Sequence, residues 1–180
     1  VLGHVGNLPL YKIFGGYNDK VPCYVTCAYY REGKDNSELR EEIQMLVEQG
    51  HKGFKGKVGG LSLSEDIARM EIVRDVIGEE NNLMVDVNRA WDLKTAIEGA
   101  KALEALQPTW LEEPVRWTDD RRELKLLSQR TNIPLSGGES EITSYGCRSM
   151  IEEQAIQILQ FDCTMSVSYT HLRAHETGCY

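Results

Sequence analysis

Two lysines set two positions apart are the first residues that could do chemistry. In Gly53-Phe54-Lys55-Gly56-Lys57-Val58-Gly59, a strand would place Lys55 and Lys57 on one face and Phe54 and Val58 on the other, because successive side chains alternate. A parallel strand normally has both faces covered, so the paired ammonium groups point into the protein rather than to a solvated face. Held together, they are expected to lower each other's proton affinity, which is how a lysine becomes a base near neutral pH.

Acids follow in phase. Leu83-Met84-Val85-Asp86-Val87-Asn88 alternates in the same way, the next run ends Trp110-Leu111-Glu112-Glu113-Pro114, and the one after ends Ser136-Gly137-Gly138-Glu139. Asp86, Glu112 and Glu139 are 26 and 27 residues apart, one strand plus one helix each. Equivalent positions in successive barrel units are neighbours at the C-terminal mouth, where barrel active sites are built, so the three carboxylates are expected to converge. At about 4 Å and an effective dielectric near 20, each like-charged pair costs roughly 4 kcal/mol, which calls for a cation. Oxygen donors without an inward histidine or cysteine suit Mg²⁺ before Zn²⁺. Each acid alone would read as an exposed strand-end carboxylate; three in phase do not. The run Ile156–Asp162 ends in Asp162, either a fourth acid of the set or an ordinary strand-end aspartate.

These residues need elements to hold them. Six β-favouring runs, Val21–Cys27, Gly53–Val58, Leu83–Asn88, Thr109–Glu113, Ile133–Glu139 and Ile156–Asp162, alternate with helical periods over Asn36–Gln49, Ser64–Ile77, Leu93–Leu106, Asp119–Gln129 and Ser144–Glu153. In the second helix Ile67, Met70, Ile72, Val73, Val76 and Ile77 form the apolar stripe, with Glu65, Asp66, Arg69, Arg74 and Asp75 elsewhere. Asn36 or Ser37 and Ser62 or Ser64 read as helix starts, Gly50 and Gly78 as stops. Strands begin roughly 22 to 32 residues apart, the length of a βα unit. The fold class is α/β: most of a (β/α)₈ barrel, which in full takes about 250 residues. A doubly wound sheet fits the alternation too, but no strand leads into a G-x-G-x-x-G loop.

Composition limits the partners. With 180 residues, 41% apolar and 27% charged, the chain can bury a core. Its net charge of −8 and scattered bases argue against nucleic acid, and no apolar run approaches a membrane span. Five cysteines without a C-x-x-C pair read as reduced cytoplasmic thiols.

K-x-K on the second strand, D-x-N on the third, E-E-P on the fourth, G-E on the fifth and an aspartate closing the sixth together resemble the enolase superfamily, in its mandelate racemase/muconate lactonizing enzyme group. The likeness runs over Leu8–Met165. It implies Asp86, Glu112 and Glu139 as Mg²⁺ ligands, Lys57 as the base that removes a proton α to a carboxylate, Lys55 as its neighbour and substrate contact, and Asp162 as the partner of a seventh-strand histidine. Asn88 and Glu113 are candidates to orient a ligand or a water. Muconate cycloisomerases usually carry a lysine at the sixth-strand position, so Asp162 favours acid-sugar dehydration or racemisation. The implied substrate is a small carboxylate, a hydroxy acid or acid sugar, and the implied parent is a homo-oligomer.

The resemblance assigns residues 1–20, where a helix entered through Pro9 ends at Gly15-Gly16, to the end of a capping domain, and residues 21–165 to a partial barrel. Residues 166–180 resemble translated sequencing adaptor rather than barrel, and the His171/His175 pair within them lacks the glutamate of H-E-x-x-H. Without strands seven and eight the piece by itself is expected to be inactive. Racemase, epimerase or cycloisomerase chemistry shares the first step. A metal-dependent hydrolase would need histidine ligands that the first strand does not offer, and a barrel keeping its acids for stability or assembly would show no response to Mg²⁺.

Overall fold

Polar caps and glycines delimit the helices of the computed structural model, which describes residues 1–118 and 120–162. In order, the elements are α1 (Leu2–Gly6), α2 (Leu10–Ile13), β1 (Val25–Cys27), α3 (Asn36–Glu48), β2 (Gly53–Lys57), α4 (Leu63–Ile77), β3 (Asn82–Asp86), α5 (Leu93–Leu103), β4 (Trp110–Glu112), α6 (Asp120–Ser128), β5 (Leu135–Gly137), α7 (Ser144–Glu152) and β6 (Ile158–Leu159). A 3₁₀ turn, Glu104–Leu106, extends α5. Asp35, not Asn36 or Ser37, caps α3 by accepting from the Ser37 and Glu38 amides. Ser62 and Glu65 close a reciprocal capping box on α4, and Gly78, at φ 73°, ends it. Pro9 caps α2 as expected; α1, before it, carries no such sequence signal.

All six strands are parallel and lie in the order β1-β2-β3-β4-β5-β6. A doubly wound sheet reverses its strand order at a switch point; an unreversed order curls the sheet toward a barrel with its helices outside. The strands are shorter than the apolar runs that announce them, because β-favouring residues extend beyond the ladder into the loops at one end or both.

The core lies between sheet and helices. Phe54, Leu83, Val85, Leu111 and Leu135 meet Leu39, Ile43, Met70, Val73, Leu103, Leu124 and Met150, all essentially without exposed surface. Each such side chain contributes about 1.5–3 kcal/mol by leaving water. Gly56, between the two lysines, faces the helices: a Cβ there would stand 2.7 Å from Met70 Sδ, so α4 packs directly on the strand backbone.

The expected polar side of α4 is partly buried. Asp66 and Arg69 are inside, the first accepting from Gly59 and Leu61 amides and the Tyr30 hydroxyl, the second donating to the Ala28 carbonyl at 2.6 Å and stacking on Tyr30. They fasten the loops after β1 and β2 to the helix. Among the described residues, no helix is long and apolar enough to cross a membrane. The segment 166–180, with His171 and His175, lies outside the described residues.

Candidate active site

Register builds the site. Lys57 pairs with Asp86 across β2 and β3, Asp86 with Glu112 across β3 and β4, and Glu112 with Ser136 across β4 and β5, so the four form one row at the C-terminal end of the sheet. Lys57 Nζ is 2.6 Å from Asp86 Oδ2 and 2.7 Å from Asn88 Oδ1. One layer below, Lys55 Nζ donates to Glu112 Oε1 at 2.7 Å and stands 3.5 Å from Asp86 Oδ2. Both lysines therefore share the inner face. The Asp86 and Glu112 side chains are only 1% and 3% exposed.

The expected mutual depression of the two lysines is not what Lys55 experiences. Burial works against its charge, but the hydrogen bond and charge of Glu112, with Asp86 and Tyr24 adding to them, outweigh burial and raise its proton affinity. Lys55 is thus a fixed cation between two acids, with Tyr24 beneath it at 5.3 Å.

Glu139 departs from the expected convergence. The register partner of Glu112 is Ser136, so Glu139 lies three residues higher, past Gly138 at φ 103°, on the loop. Its carboxylate, with the side chain 41% exposed, meets Arg89 Nη2 at 2.8 Å. Arg89 also donates through Nε to Glu113 Oε2 at 3.1 Å, and Glu113 Oε1 accepts the Gly138 and Glu139 amides. Burial raises the Glu113 carboxyl above its ordinary value, against the pull of Arg89 and the Gly138 amide. Two networks result. Lys55, Lys57, Asp86, Glu112 and Asn88 form the first; Arg89, Glu113 and Glu139 form the second. Among the described residues, no group of three or more His, Cys, Asp or Glu is placed to hold a metal ion. The like charges of the acids are met by Lys55, Lys57 and Arg89 instead. Asp162 follows β6 by three residues, half-buried at the same end of the sheet.

Three contacts escaped the sequence reading. Arg89 sits in the loop, where strand alternation no longer says which way a side chain points. Trp110 Nε1 donates to Glu112 Oε2 at 3.0 Å, and Gln160 Nε2 donates to the same oxygen at 2.9 Å. Gln160 could have been found: it shares parity with Ile158, the partner of Ser136.

Comparison with known proteins places this geometry. The family described as Enolase C-terminal domain-like matches residues 38–175. Arabinonate dehydratase of Saccharolobus solfataricus is 35% identical over 162 residues, 90% of this chain and 43% of that protein. L-talarate/galactarate dehydratase of Salmonella typhimurium is 35% identical over 138 residues, 77% of this chain and 34% of that protein. A crystal structure of a mandelate racemase/muconate lactonizing enzyme from a marine actinobacterium, in complex with magnesium, superposes with a TM-score of 0.86 at 31% identity, covering 97% of this chain and 49% of that one. The chain belongs to the enolase C-terminal domain-like family, in the mandelate racemase/muconate lactonizing enzyme group of the enolase superfamily. It spans less than half the length of these relatives. Proteins of this group that it matches include acid-sugar dehydratases, a racemase and a cycloisomerase.

Proposed function

We propose that the full-length protein removes the proton α to the carboxylate of an acid sugar and stabilises the resulting enediolate, leading to dehydration of an aldonate or aldarate. The observation that carries this reading is the row in which Lys57 faces Asp86 and Asn88 while Lys55 joins the buried acids Asp86 and Glu112.

The donor chemistry fits Mg²⁺: Asp86 and Glu112 offer hard carboxylate oxygens from adjacent strands, and Glu139 offers a third from the loop above. When bound, the ion would act as a Lewis acid on the substrate carboxylate, contributing several kcal/mol to enediolate stability. The chain's own residues do the rest. Lys57, in its neutral form, takes the α-proton on Nζ, and Asn88 Oδ1 with Asp86 keeps that nitrogen aimed along the row. Lys55 stays charged and offers its N–H to the substrate carboxylate. Asp162, three residues past the last described strand, would orient a further acid–base group.

The test is conversion of a panel of acid sugars to 2-keto products by the full-length protein, with calorimetric titration of Mg²⁺. Turnover that disappears in E112Q supports the reading. A flat titration with no 2-keto product would remove its footing.

A further inference from the structure

We propose that Tyr29 is a substrate-contact residue whose ring forms a wall for the carbon chain of a polyhydroxy acid beyond its α-carbon; this rests on the reading of Lys57 as the base. Two adjacent tyrosines follow β1, and the fold uses them differently. Tyr30 is engaged by its side chain: the hydroxyl meets Asp66 and accepts the Gly60 amide, and Arg69 stacks on the ring at 4.3 Å. Tyr29 is held through the backbone. Its carbonyl accepts from Lys34 Nζ at 3.1 Å, while Ala28 before it donates its amide to Glu42 Oε1 at 2.9 Å and accepts at its carbonyl from Arg69 at 2.6 Å. Lys34 and Glu42 are themselves paired.

This holding is costly. Ala28 stands at φ 55°, a region unfavourable to non-glycine residues, and the Lys34 and Arg69 side chains are charges taken almost wholly out of water. What they fix is a residue 55% exposed, whose hydroxyl makes no hydrogen bond among the described residues. Packing gains nothing from that arrangement; a bound molecule would.

The ring stands beside the proposed base. Lys57 Nζ lies over it, 5.9 Å from its centroid, and both border a cavity of about 310 Å³ that Tyr30, Gly59, Asn88 and Ala90 also line. A carbon packed on the ring stands about 3.5–4.0 Å from its atoms, and a reacting carbon about 3–3.5 Å from its base. The two reaches together exceed 5.9 Å, so neighbouring carbons of one chain can meet base and ring at once. Asp86 and Asn88 hold Nζ from the β3 side, so a substrate reaching it from this cavity passes the Tyr29 ring. The Gly59, Gly60 and Leu61 amides are taken by Asp66 and Tyr30, which leaves the wall to meet the C–H face of a sugar chain rather than its hydroxyls. A contact made equally before and during reaction acts on KM, whereas a ring acting on the charge of Lys57 would act on kcat.

The experiment is steady-state kinetics of the full-length protein with Mg²⁺, on the acid sugar it converts fastest, comparing the parent with Y29F and Y29A. Melting temperatures and the pH profile of kcat are recorded beside it. The expected result is a KM raised about tenfold or more in Y29A and by less than about threefold in Y29F, with kcat and its pH profile held in both. An unchanged KM in Y29A overturns the inference and leaves the proposed function standing; a lowered melting temperature beside it would mean that the ring packs on another part of the chain. A fall in kcat or a displaced pH profile at unchanged KM overturns it too, since the ring would then act on Lys57. So does a loss in Y29F equal to that in Y29A, which would assign the contact to the hydroxyl. Should Y29A fail to fold, an unchanged KM in Y29L overturns it equally. A parent that converts no acid sugar removes the proposed function and this inference together, and is told apart by the inactive parent.

Discussion

Lys57 Nζ lies 2.6 Å from Asp86 Oδ2, its register partner on the next strand. Lys57, the base of the proposed function, and Asp86 are therefore positioned by the same ladder that holds the sheet, and their separation follows from strand spacing rather than from a loop. Substituting K57M in the full-length protein is expected to lower turnover by roughly 10²–10⁴-fold, the usual contribution of a positioned general base. The same variant should stop exchange of the substrate α-proton with deuterated solvent. Exchange continuing at the parent rate would assign the base elsewhere.

Lys55 neutralises two buried acids at once. K55M strands Asp86 and Glu112 without their shared cation, and loss of one partner from a buried ionic group costs about 3–5 kcal/mol. With Lys57 still on Asp86 and Gln160 and Trp110 still on Glu112, the lower part of that range is expected. Chemical denaturation without added Mg²⁺ measures it; a change under 1 kcal/mol would show that the acids are satisfied without Lys55.

Three acids, Glu65 and Asp92 exposed and Glu104 half-buried, make folding sensitive to pH. Hydrogen bonds from Ser62 to Glu65, from Thr95 to Asp92, and from Asn132 and Thr131 to Glu104 hold these carboxyls below their ordinary values of 4.5, 3.8 and 4.5. A lowered folded-state value means stability fully present above the ordinary value and lost as pH falls through the lower one. The melting temperature should decline from about pH 5 downward, and E65Q should flatten that decline. An identical slope in E65Q would mean that the capping box does not contribute.

Gly59 follows the lysine strand at φ 97°, and a Cβ there would fall 2.5 Å from Ala90 Cβ and 3.0 Å from the Val87 carbonyl. Both neighbours lie on the segment after β3, so neither yields without moving the backbone beside Asn88. G59A is expected to cost about 1–3 kcal/mol. Differential scanning calorimetry would register it as a lowered melting temperature, and an unchanged value would mean the two loops can part.

Strand alternation was enough to read the shared faces of Lys55 with Lys57 and of Met84, Asp86 and Asn88, because a ladder converts spacing in sequence into direction in space. It could not read Glu139, since the count of one βα unit hides a strand that ends two residues before it, at Gly137. Nor could it read Asp66 and Arg69, whose burial depends on Tyr30 and Ala28 arriving from another element. Arg89 was invisible for the same reason: its direction is set by a left-handed backbone for which neither it nor Asn88 carries a glycine signal. Ser62 was legible because its cap is closed within four residues.

The offset between Ser136 and Glu139 divides the acids by stiffness. Asp86 and Glu112 can shift only if neighbouring strands slide, which would disturb every bond in the ladder, whereas Glu139 can be raised, lowered or swung by altering the short stretch between Gly137 and Ser140 alone. Lengthening or shortening that stretch would move one carboxylate while leaving Lys57 and Asp86 untouched, so under the proposed function this turn is the place where an engineer could adjust ion affinity without disturbing the ladder.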